Sequence, residues 1–206
     1  MWETEKRRFA ASWRELFTPE ATLKVAPSPD GARTETMISR KSVPSLVARA
    51  QTNGPLVQRV MRSMFADESD AWCLREVWSV DLAVMVLDKV AQDSSDPWGN
   101  ASERGAWRTL ALIEHENVKG RRGLMMSVRK LLDYRSDALR VAIGYSSNPD
   151  DDLRPSEWGP LLHSADSAAG LSSILLVVGA ITKGSEEWRI LDVAEFGWRP
   201  IGRCGQ

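Results

Sequence analysis

The stretch Trp107-Arg-Thr-Leu-Ala-Leu-Ile-Glu-His-Glu-Asn-Val118, then Lys119-Gly-Arg-Arg-Gly123, then Leu124-Met-Met-Ser-Val-Arg-Lys-Leu-Leu132, decides how this chain is read. Beyond the turn Tyr134-Arg-Ser-Asp137 comes a third apolar run, Leu139-Arg-Val-Ala-Ile-Gly-Tyr145. Short apolar runs separated by turn chemistry predict strands over 107–118, 124–132 and 138–145, joined as an antiparallel meander. A sheet with one apolar face must bury it on something. Residues 165–182, with Leu171, Ile174, Leu175 and Val178, read as one long helix closed by Gly184, and Glu187 to Trp198 as a last strand ended by Pro200. The fold class expected is therefore α+β, an antiparallel sheet packed against a long C-terminal helix, with additional N-terminal helices.

Working outward, residues 3–17 read as a helix, stopped by Pro19, with Phe9, Trp13, Leu16 and Phe17 on one face. A hairpin is expected over 21–39 around Pro27-Ser-Pro-Asp-Gly31, and helices over 42–51 and 54–66. Ala71 to Gln92 is too densely apolar for period to separate helix from buried strand, and its length favours helix. Residues 93–104, containing Ser94-Ser-Asp-Pro-Trp-Gly-Asn100, read as an exposed loop, and 146–157 as an acidic loop. All 206 residues fit a single domain, large enough to bury a core without disulfides or metal.

The 27 basic and 28 acidic residues leave a net charge of −1, so the field of the whole molecule does not attract polyanions and any such contact must be local. Two cysteines, Cys73 and Cys204, argue against a disulfide framework and for a reducing compartment. With no stretch of ~18 apolar residues and no signal-peptide pattern at the start, a soluble cytosolic protein is expected. Nine tryptophans beside two tyrosines are an unusual choice of large apolar residue, and Trp188, opening the last strand, is expected to be a core anchor.

Catalytic chemistry is thinly represented. His115 and His163 are the only histidines. On a strand, Glu114 and Glu116 point away from His115 and cannot share a metal with it, while Ser164 and Asp166 beside His163 are natural helix caps. Gly120-Arg-Arg-Gly123 lacks the spacing of a phosphate loop and, on the meander reading, its strand-to-helix context. No enzyme, no cofactor and no metal are expected. What remains is basic clusters: Lys6, Arg7 and Arg8 on the opening helix, and Lys119, Arg121, Arg122, Arg129 and Lys130 around one hairpin. These are the candidate residues for an anionic membrane surface or a nucleocapsid. Trp98 and Trp158 are the candidate partner-binding tryptophans. With Gly197-Trp198, the pairs Trp98-Gly99 and Trp158-Gly159 resemble the Trp-Gly hooks by which some viral silencing suppressors grip Argonaute proteins.

The C-terminal third resembles the matrix proteins of rhabdoviruses, the vesiculovirus type in particular. A strand ending in Tyr145 precedes the acidic Asp150-Asp-Asp-Leu153 and a proline. Trp158 then precedes the apolar segment 165–182, and the chain closes with Trp188-Arg-Ile-Leu-Asp-Val-Ala-Glu-Phe196, 30 residues after Trp158. Unlike that family, the chain has no Lys-rich start and no Pro-Pro-x-Tyr motif. The resemblance implies a non-enzymatic virion protein that self-associates and lies beneath the envelope or on the cytosolic face of host membranes. It implies binding to nucleoprotein and support of assembly and budding. The alternative reading is a host-factor-binding antagonist of RNA silencing or innate immunity, acting through exposed Trp and basic residues on host proteins.

Overall fold

The computed structural model describes residues 2–16, 56–68, 71–77, 80–87, 107–116, 118–134, 137–164, 171–182, 185–194 and 197–204. The expected hairpin 21–39, the helix 42–51 and the loop 93–104 with Trp98 lie outside these residues. Helices α1 (Glu3–Leu16) and α2 (Leu56–Met64) form near their expected positions. Seven strands follow in one sheet: β1 (Ala71–Val77), β2 (Val80–Leu87), β3 (Trp107–His115), β4 (Leu139–Ser146), β5 (Ile174–Thr182), β6 (Ser185–Ala194) and β7 (Gly197–Cys204). Helix α3 (Arg121–Leu132) joins β3 to β4, and α4 (Pro149–Asp152) with α5 (Pro155–Ser164) lies between β4 and β5.

Strand order in space equals order in sequence. The sheet is nevertheless mixed: β1-β2-β3 is an antiparallel meander, β3, β4 and β5 are parallel, and β5-β6-β7 turns antiparallel again. Parallel neighbours need a crossover long enough to return the chain, and α3 and the α4–α5 segment supply the two crossovers. Both put their apolar residues on the same face of the sheet: Leu124, Val128 and Leu131 from α3 and Trp158, Leu161 and Leu162 from α5 meet Leu112, Ala142, Leu176 and Val178. The opposite face is covered by α1 and α2, whose Phe9, Trp13, Val57, Val60 and Met61 pack on Ile113, Val141, Ile143, Leu175 and Val177. The molecule is thus α+β with three layers, not a sheet backed by one helix.

Several expectations are corrected by this arrangement. The long C-terminal helix is absent, because Ile174–Thr182 is strand β5. It lies between β4 and β6 with helices on both faces, so every side chain from Ile174 to Val178 is buried and the alternation that marks a one-faced strand disappears. Residues 124–132 form helix α3 instead of a strand, since Leu124, Val128 and Leu131 repeat at helical spacing. The segment 71–87 is a hairpin, not a helix, and residues 149–152 and 155–157 of the expected acidic loop are helical. Two strands, β6 and β7, replace the single last strand. Pro200 sits inside β7, where the end position in the sheet tolerates a missing donor and the register shifts between Ile190 and Leu191.

Candidate functional site on the outer face of helix α3

The loop after β3 is closed by local hydrogen bonds. The Gly120 N–H donates to the Tyr145 carbonyl at 2.7 Å, and the Val118 N–H to the Glu116 carboxylate at 2.8 Å. Gly120 caps α3 with φ +85°, a conformation that favours glycine. This is a strand–turn–helix passage, so the context that the meander reading denied to Gly120-Arg-Arg-Gly123 is present. The first turn of α3 has two arginines and no acidic residue, the reverse of what a helix N-terminus prefers, so its positive potential is reinforced.

Spacing then sorts the helix into two faces. Leu124, Val128 and Leu131 enter the core, while Arg122, Met126 and Arg129, at i, i+4 and i+7, share the opposite side and face solvent. Val118 (52% exposed) and Met126 (54%) are the exposed large hydrophobic residues among those described. Lys119 adjoins Val118 in the turn, Arg122 and Arg129 flank Met126 at helical spacing, and none of the three forms an ion pair with another described residue. Exposed Asp133, the C-cap, is the acidic residue at the far end of the stripe.

The other two basic residues of this cluster are tethered. Arg121 reaches Glu157 of α5 at 3.0 Å, and Lys130 reaches Glu114 of β3 at 2.8 Å. Glu114 is 6% exposed and points toward α3. Its carboxylate also accepts the Asp81 N–H at 3.2 Å, while the Asp81 carboxylate accepts the His115 N–H at 2.7 Å. This reciprocal clamp prolongs the β2–β3 ladder past its last register pair, Leu82 with Ile113. Burial pushes the Glu114 carboxyl up to about 7, with the Asp81 charge adding to the rise and Lys130 opposing it.

The remaining candidates fall elsewhere. Lys6 is 4% exposed and paired with buried Asp192 of β6, which Arg199 also reaches at 3.0 Å. Arg7 and Arg8 are exposed, with Glu3 at 3.0 Å and Asp67 at 3.9 Å. Trp158 is fully buried, donates Nε1–H to the Asp152 carbonyl at 2.8 Å and meets Trp198 edge-on, so it presents nothing to a partner. Trp188 is likewise buried, beside Trp13 and Tyr145. His115 packs on the face opposite Glu114, its Nε2 at 2.9 Å from the Tyr145 hydroxyl.

No family model, curated protein or solved structure matches the chain. Function therefore rests on the geometry. Among the described residues no group of His, Cys, Asp and Glu is arranged to hold a metal ion, and no helix is long and apolar enough to cross a membrane. Burial pushes the Cys73 thiol up to about 12, which removes thiolate chemistry there. The basic cluster of 119–130 is visible in the sequence, but not that Arg121 and Lys130 are tethered within it, nor the parts played by Asp81 and Glu114. For Lys6 the signal was present: Trp2, Lys6, Phe9 and Trp13 recur at helical spacing, which places Lys6 on the buried stripe of α1.

Proposed function

We infer that the protein is a non-enzymatic docking protein that binds an anionic membrane surface through the outer face of α3. The observation that carries this reading is the exposed stripe Arg122, Met126 and Arg129 on α3, preceded by a turn that exposes Val118 and Lys119, with none of the three basic residues ion-paired among the described residues. Each basic residue at an anionic bilayer contributes about 1 kcal/mol, and partial burial of Met126 and Val118 adds roughly 1–3 kcal/mol. Together this gives roughly 4–6 kcal/mol, a dissociation constant of about 0.04–1 mM. Such docking is reversible and screened by salt. It agrees with the membrane contact implied by the matrix-protein resemblance. Self-association, nucleocapsid binding and a place in a virion rest on that resemblance alone, and the segment 174–182 that helped carry it as a helix is strand β5.

Co-sedimentation with phosphatidylcholine vesicles, with and without phosphatidylglycerol, tests the reading. Binding only to the anionic vesicles, weakening steeply as salt is raised, is expected. Equal recovery with both vesicle types, or none with either, overturns it.

A further inference from the structure

Lys130 differs from the other basic residues of α3 in where its charge is directed. It sits between the solvent-facing side and the sheet, half-exposed, and its ammonium turns inward to the Glu114 carboxylate at 2.8 Å. Arg129, its neighbour on the helix, is exposed and has no such partner among the described residues. The carboxylate that holds Lys130 is buried at the end of β3 and accepts the Asp81 N–H, whereas the Lys130 side chain is half-exposed, so the lysine is the movable half of the pair. Its hold depends on one charge in a buried place.

We propose that the Glu114–Lys130 pair is a proton-operated latch on the docking face: the Glu114 carboxylate keeps Lys130 against the sheet, and protonation of Glu114 releases the ammonium to an anionic surface. This deepens, and rests on, the membrane-docking reading. The charged groups facing Glu114 are Lys130 from α3 and Asp81 from β2, and its register neighbour on β4 is Ala142, which carries no charge. Asp81 disfavours a second negative charge beside it and Lys130 favours one, while burial outweighs both and moves the titration to about 7. The latch is therefore closed above neutrality and opens on mild acidification. Linkage works in both directions: a surface that binds the open form better must raise the proton affinity of Glu114, so docking takes up a proton near neutral pH.

The full chain is tested with phosphatidylcholine vesicles containing phosphatidylglycerol, whose phosphodiester does not titrate near neutrality, at about pH 6 and about pH 8. One released lysine strengthens binding about fivefold at the lower pH. Glu114→Gln, whose amide oxygen still accepts the Asp81 N–H, is expected to lose the pH step and bind at both values as the parent does at about pH 6. Lys130→Ala is expected to lose the step and bind at both as the parent does at about pH 8. A parent without the step, or either variant retaining it, overturns the latch. A second readout needs no vesicle: in the free protein, NMR shifts of the Glu114 carboxyl carbon and of Lys130 Cε should titrate together. Independent titration overturns the latch even where vesicles bind. Co-titration without binding to vesicles at either pH removes the docking reading, and with it the proposed role of the latch.

Discussion

Replacing Lys6 by Ala should unfold this protein more readily and should do so without any ligand present. Lys6 lies on α1 and Asp192 on β6, both nearly inaccessible to water, so the substitution leaves Asp192 buried with exposed Arg199, at 3.0 Å, as its remaining cation among the described residues. Removing one member of a buried pair costs about 3–5 kcal/mol, and Arg199 brings the figure toward the lower end, about 3 kcal/mol. For a chain of this size that is a fall in Tm of roughly 6–12 °C. Thermal unfolding followed by circular dichroism measures it, and the double variant Lys6→Met with Asp192→Leu should recover most of the loss, because no lone charge is left inside. If Lys6→Ala melted with the parent while binding to anionic vesicles fell, Lys6 would be a surface contact and the placement of α1 on the sheet would be wrong.

Other substitutions probe the layers separately. Trp188→Ala removes a buried ring that touches Trp13 and Tyr145 and should cost about 3–5 kcal/mol in denaturant titrations, abolishing all binding together and not one partner selectively. Gly123→Ala would drive a Cβ into the Val118 carbonyl oxygen, so the turn into α3 must shift; the variant should melt lower than the parent, whereas equal melting would contradict the turn geometry. Because the Glu114 carboxyl is raised from 4.5 to about 7 in the fold, the folded state holds a proton there that the unfolded chain has lost. Stability should thus fall as pH rises through that window, by up to about 3 kcal/mol, and Glu114→Gln should flatten the slope in urea titrations.

The parts of this fold legible in the sequence are two helices with one wet face and two strands whose bounds carry turn chemistry. α1 and α2 keep polar residues on their outer sides, and Phe9 and Trp13 or Val57, Val60 and Met61 mark the inner ones. β3 and β4 are bounded by turn chemistry on both sides. β5 is covered on both faces, and Ile174-Leu-Leu-Val-Val178 has no period to report. α3 misled for another reason: Leu124, Met126, Val128 and Leu132 also fit period two, and only the depth of Leu131 against exposed Met126 separates the two readings. That single exchange of strand for helix turns an antiparallel meander into a parallel crossover. The docking face shows the same limit. Lys119, Arg121, Arg122, Arg129 and Lys130 are adjacent in sequence, but Glu157 and Glu114, which withdraw two of their charges, are brought in by tertiary contacts.

If α3 and the turn before it meet an anionic surface, two triple variants of equal net charge should part company on the same anionic vesicles. Lys119, Arg122 and Arg129 replaced together by Ala should lose about 3 kcal/mol, roughly a hundredfold in affinity, with unfolding unchanged. Arg7, Arg8 and Arg203, exposed on α1 and β7, replaced together by Ala, should bind nearly as the parent does. Equal loss in both triples would mean that net charge alone governs the association, and would contradict a docking site on α3.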